Sequence, residues 1–146
     1  MTARSILLVL LLLGSASAHA QDATIGYIKS LGGHATVTHG DLTFAAALGG
    51  AVHEGDMLRT FWDGALGVTF KDNTRMSMGP SSRVTIPRFI FAPAEEHYGF
   101  VLRLVAGTMQ YISGLTAKLS PDSMKIETPT ATIGVRGTRF LARAEP

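Results

Sequence analysis

The chain has 146 residues, of which 46% are hydrophobic and 16% charged, with a formal net charge of +2 and no cysteine. Without cysteine there can be no disulfide staple, no thiolate nucleophile and no lipid anchor on an N-terminal cysteine. The basic charge is too sparse for the Lys/Arg stripe that holds a phosphate backbone, so nucleic acid is not an expected partner.

The first elements in the chain read as an export address. Arg4 supplies positive charge, Ile6–Leu13 is an unbroken apolar run, and Gly14–Ala20 is rich in small residues and ends in Ala18-x-Ala20. This is the pattern of a signal peptide cleaved before Gln21. A membrane span needs about 20 apolar residues, and this run is far shorter. The expected mature chain, 21–146, is one domain of ordinary size, periplasmic or released outside the cell. With Arg4 in the leader, 12 basic side chains face 11 acidic ones, so the mature surface is nearly neutral.

Beyond the leader the apolar positions recur every second residue. Ala65–Phe70 puts Leu66, Val68 and Phe70 on one face, and Arg75–Met78 and Arg83–Ile86 alternate in the same way. That period marks half-buried strands. Phe100–Val105 and Met109–Ile112 read as two further strands separated by Ala106-Gly107, while Ala45–Leu48 allows one helical turn before Gly49-Gly50. Turn pairs Gly55-Asp56, Asp63-Gly64, Asp72-Asn73 and Gly79-Pro80 punctuate the strands. Pro87 cannot donate to a ladder, so its strand is expected to be an edge or to end there, before an exposed loop at Ala92–Tyr98. The expected fold is all-β, as either a short β-solenoid or a twisted two-sheet β-sandwich.

Chemistry-bearing residues are sparse. His34, His39, His53 and His97 show no spacing of convergent donors, so they read as surface or turn residues and no metal is expected. Asp56, Asp63 and Asp72 fall at turns, where bonds to the main chain account for them. A pairing of Asp63 with Asp72 is the one arrangement that would resemble a hydrolase dyad. No serine has a nucleophile-elbow context. These readings predict no catalytic residue, no cofactor and no enzyme activity. Arg136 reads as tying down turn carbonyls beside Gly137, and Thr128 and Thr130 as completing a turn around Pro129. Phe89 and Phe91 are expected in the core. Trp62 and Tyr98, beside turns, are the candidate partner contacts.

Several segments together resemble FecR-type domains of bacterial envelope proteins. Glu54-Gly55-Asp56-Met57-Leu58-Arg59-Thr60 is similar to a GDxLxT motif, and Asp63-Gly64 follows with a strand running to Phe70. Met78-Gly79-Pro80-Ser81-Ser82-Arg83-Val84 resembles LGPxSxL, and Leu104-Val105-Ala106-Gly107-Thr108-Met109 resembles LxxGxL. The run Thr128-Pro129-Thr130-Ala131-Thr132-Ile133-Gly134-Val135-Arg136-Gly137-Thr138-Arg139-Phe140 resembles the closing signature. The resemblance implies an all-β periplasmic module that senses or transmits contacts, with Gly55, Asp56, Asp63, Gly64, Gly79, Pro80, Thr128, Pro129, Arg136, Gly137, Thr138 and Phe140 as structural positions. The expected partner is another envelope protein. Peptidoglycan or another polysaccharide, met by exposed aromatic rings, is the alternative.

Overall fold

The structure, a computed structural model, describes residues 22–136 and 139–145. The leader expected at residues 1–20, and Gly137 and Thr138 of the closing signature, lie outside the described residues. Strands β1 (Thr24–Gly32), β2 (Ala35–His39) and β3 (Leu42–Ala45) are followed by β4 (Ala51–His53) and β5 (Met57–Thr60). Next come β6 (Ala65–Phe70), β7 (Arg75–Met78), β8 (Arg83–Ala92) and the long β9 (His97–Ile112). A short helix, α1 (Leu115–Leu119), precedes β10 (Met124–Glu127), β11 (Thr132–Gly134) and β12 (Arg139–Ala144).

These strands form one curled sheet in the order β3-β2-β5-β8-β9-β7-β6-β1-β4, with β10 and β12 attached through β9 and β11 through β10. The ladders are antiparallel, apart from β9 with β10. A solenoid stacks its coils through parallel ladders, so of the two expected all-β architectures the antiparallel one describes this chain, as one curled sheet folded on itself and not as two separate sheets.

Strand β9 joins the layers. Its first half pairs with β8 and, at Phe100–Arg103, with β10; its second half pairs with β7 and β12. The change of partners falls at Gly107, whose φ of +88° bends the strand between the two expected segments. A Cβ there would lie 2.2 Å from Ser82 Oγ, so both the angle and the close approach require glycine.

The alternation expected for β6, β7 and the start of β8 is seen as burial: Leu66, Val68, Phe70, Met76, Met78, Val84 and Ile86 all point inward. Rings from both halves meet in one core. Phe100 stands edge-on to Phe70 and Phe89, each with its centroid 4.8 Å away. Such contacts add about 0.5–1.5 kcal/mol per pair beyond simple burial.

Three local expectations change. Ala45–Leu48 forms no helix; β3 runs to Ala45, and the helical residues are Leu115–Leu119. Strand β8 continues through Pro87, which sits in a register shift between Thr85 and Arg88, beyond the last β5 pair at Thr85. There the missing N–H leaves no ladder bond unmade. The Ala92–Tyr98 loop shrinks to a 3-10 turn at Pro93–Glu95, closed by Glu96 at φ +51°. Among the described residues no helix is long and apolar enough to cross a membrane.

Candidate functional site

The sequence motifs converge on buried turns. Thr60 donates through Oγ1 to the Gly79 carbonyl at 2.6 Å and accepts the Ser82 N–H at 2.9 Å. Ser82 Oγ donates to the Pro80 carbonyl at 3.0 Å and accepts the Thr108 N–H at 2.9 Å. Both hydroxyl residues are buried, so their oxygens find partners in the main chain. It fastens the Gly79-Pro80 turn to β5 and to the bend of β9, and its residues come from three motifs far apart in the chain.

A second cluster surrounds Asp72, which is fully buried. Its Oδ1 accepts the Thr74 N–H at 3.0 Å, while Oδ2 accepts the Thr74 hydroxyl at 2.8 Å and the Thr116 N–H at 3.2 Å. The Asp72 carbonyl accepts the Leu115 N–H at 2.7 Å. Gly114, at the helix N-cap, has no side chain to cap α1, so Asp72 caps it from another part of the chain.

The third cluster has a different composition. Asp56, fully buried in the turn before β5, accepts the His53 N–H through Oδ2 at 2.8 Å. Its Oδ1 lies 2.5 Å from Nδ1 of His39, at the end of β2. The other ring nitrogen of His39, Nε2, is 3.1 Å from Asp22 Oδ2. The His53 ring is inclined toward the His39 ring with centroids 5.0 Å apart, and its Nδ1 is 3.6 Å from Asp56 Oδ2. The Asp56 hydrogen bond, helped by its negative charge, holds His39 above the ordinary imidazole range; partial burial opposes the rise and Asp22 adds to it. Ligand atoms of His39, His53 and Asp56 all lie within 4.8 Å of one another. These two histidines, expected at surface or turn positions without a shared centre, are thus brought together with a carboxylate.

On the other side of β5 the surface opens into a groove of about 250 Å³ whose walls include Arg59, Phe61, Trp62, Ser82 and Arg83. Arg59 and Arg83 stand directly opposite each other across β5 and β8. Like charges in that position destabilise a sheet unless something neutralises them. The Arg59 guanidinium lies 4.8 Å over the Phe61 ring. Among the described residues Arg83 Nε is buried without an acceptor. Trp62, at the tip of the β5–β6 turn, is 82% exposed.

Asp63, beside Trp62, joins that turn to the β1–β2 turn. Its Oδ2 lies 2.6 Å from His34 Nδ1 and its Oδ1 accepts the His34 N–H at 3.3 Å. The His34 hydrogen bond holds the Asp63 carboxyl below its ordinary range, against the opposing effect of desolvation. Gly64 lets the two turns touch, since a Cβ there would lie 2.3 Å from the His34 carbonyl oxygen. Asp63 and Asp72 therefore bind different partners in different clusters.

Other motif positions are simpler. Gly55, at φ +86°, precedes Asp56 in its turn. Thr128 Oγ1 accepts the Ala131 N–H at 3.1 Å, closing the turn through Pro129. Tyr98 is half-buried with its ring 6.1 Å from Phe91, and Phe140 stacks on Tyr111 at 5.1 Å. Arg136 differs from its expected place against turn carbonyls: its side chain is 86% exposed, with Asp122 4.0 Å away as counter-charge.

Sequence reasoning missed Arg59, Arg83 and the His39–His53–Asp56 grouping. The opposition of Arg59 and Arg83 depends on strand register. His39 and Asp56 are 17 positions apart, so no local spacing marks them.

Hairpin topology, with motif residues such as Asp56, Thr60 and Ser82 bonded within turns, defines an antiparallel β module. No curated protein and no solved structure matches the chain. The model of the family described as FecR protein matches residues 56–146, more than half of the chain. The chain belongs to the FecR family, a group of regulatory and sensing proteins associated with the bacterial cell envelope.

Proposed function

We propose that this chain is an exported, non-enzymatic FecR module of the periplasm, with residues 21–146 acting as one unit that senses or relays signals through contact with another envelope protein. The exposure of Trp62 carries the reading. A large aromatic ring standing in water beside a groove is the type of residue that dominates binding energy when a partner covers it. Arg59 and Arg83 give the groove its polarity: a partner carboxylate would relieve their mutual repulsion. The favoured partner surface is therefore acidic, with an apolar edge to cover the indole.

A photo-crosslinking amino acid at position 81, on the exposed rim of the same groove with Trp62 intact, tests this in cells that export the protein. The expected result is a discrete adduct with one envelope protein, weakened at least about tenfold by Arg83→Glu. Labelling no stronger than from exposed Leu42 would refute the reading. The same exposed indole could stack on a sugar ring, which keeps a glycan-binding module as the second reading. Salt-resistant co-sedimentation with cell-wall sacculi, lost in Trp62→Ala, would move the assignment there.

A further inference from the structure

We infer that His39, His53 and Asp56 form a binding site for a divalent transition metal of the zinc type, supported by Asp22. Two imidazoles and a carboxylate are a donor set that suits zinc and its neighbours, with bonds of about 2.0–2.2 Å. At such bond lengths two ligand atoms of one tetrahedral ion stand about 3.3 Å apart. His53 Nδ1 and Asp56 Oδ2, at 3.6 Å, are too far apart for a hydrogen bond yet close to that separation. His39 Nδ1 and Asp56 Oδ1, at 2.5 Å, stand at hydrogen-bond distance, which takes a proton on the ring nitrogen when the carboxyl is ionised. A metal ion would replace that proton, which leaves to solvent, and the His39 ring would need to withdraw by under about 1 Å.

The surroundings match those of a built site. A ligating histidine ordinarily gives its second ring N–H to a carboxylate, which fixes the ring orientation and raises ligand basicity. Asp22 occupies that place on His39, 3.1 Å from Nε2. Asp56 is oriented in turn by the His53 N–H at 2.8 Å. The side chains of His39 and His53 are 35% and 25% exposed, so an ion can reach the donors from solvent. Three protein ligands leave a tetrahedral ion one position for water or an outside donor.

The ligands also come from different parts of the sheet. His39 ends β2, His53 ends β4 at the far edge of the strand order, and Asp56 leads into β5. A bound ion would tie these ends together, so occupancy would add to folding stability.

Calorimetric titration of the purified protein with zinc chloride, alongside cobalt chloride read by visible absorption, tests the site. The expected result is one equivalent of zinc, a cobalt spectrum of tetrahedral type and a thermal shift that magnesium does not produce. His53→Ala should abolish the cobalt spectrum and weaken zinc at least about tenfold, as should Asp22→Asn through the ring it orients. His34→Ala should leave both unchanged. The His53 ring makes no hydrogen bond to Asp56, its Nδ1 standing 3.6 Å away, and the turn is held by the His53 main-chain N–H, so removing the ring tests binding without dismantling the turn. Failure of the unaltered protein to bind zinc at millimolar concentration would overturn the inference. So would a His53→Ala variant that binds with unchanged affinity and stoichiometry.

Discussion

Asp56 and Asp72 start from the same position: each is a turn aspartate with no exposed surface. Their partners separate them. Asp72 meets two N–H groups and a hydroxyl, all fixed donors within the fold. Asp56 meets one N–H group and two imidazoles that reach toward solvent. A buried carboxylate surrounded by fixed donors holds structure. One surrounded by titratable, metal-competent rings can also respond to what arrives from outside.

Replacing each by alanine should sharpen that contrast. Asp72→Ala leaves three donors without an acceptor and uncaps α1, an expected loss of about 3–4 kcal/mol. Asp56→Ala orphans one N–H group beside side chains that water can reach, so about 1–2 kcal/mol is expected. Urea denaturation reads both as shifts of the midpoint at constant slope. Equal losses would mean that the two turns do the same work.

The next effect down lies where the layers join. Gly107→Ala requires a left-handed backbone at a residue with a Cβ and drives that atom into Ser82. About 2–3 kcal/mol of destabilisation is expected. Ser82→Ala in the same chain should recover part of it, although the Thr108 N–H then loses its acceptor. Additive losses in the double variant would show that the Ser82 hydroxyl is not the atom the new methyl group displaces.

Much of the fold was legible because β6, β7 and the start of β8 alternate cleanly, and alternation is what one buried face looks like in sequence. The choice between solenoid and sandwich was not, because it turns on β9 changing partners at Gly107, a matter of long-range pairing. Helix α1 left no trace for a related reason. Five residues are too few to show a helical stripe, and its cap comes from Asp72, 44 positions before Thr116. The candidate site was half visible. Trp62 stood out as an aromatic at a turn, whereas Arg59 opposite Arg83 and His39 beside Asp56 exist only once the strands are in register.

Asp63 extends the comparison to a turn aspartate that is neither buried nor free. Its carboxyl is held below the unfolded value of about 3.9 by the His34 hydrogen bond. The stabilisation is therefore complete above about pH 4 and is lost as pH falls through the folded value. Asp63→Asn cannot carry that charge, so its stability should fall less between about pH 4 and pH 2 than that of the unaltered protein. Thermal melts followed by circular dichroism across that range measure the difference. Parallel acid limbs would show that the His34 contact contributes nothing in solution.

The smallest expected change in stability is at the residue with the largest proposed role in binding. Trp62 is 82% exposed, so Trp62→Ala removes little packed surface and should alter stability by no more than about 0.5 kcal/mol. Phe100→Ala, with its ring fully enclosed between Phe70 and Phe89, should cost about 3–5 kcal/mol in the same assay. If the two losses were similar, Trp62 would be a packing residue and the groove would lose its anchor. If only Phe100→Ala unfolds the chain, the indole has no packing role in the fold, which is what the proposed partner contact requires of it.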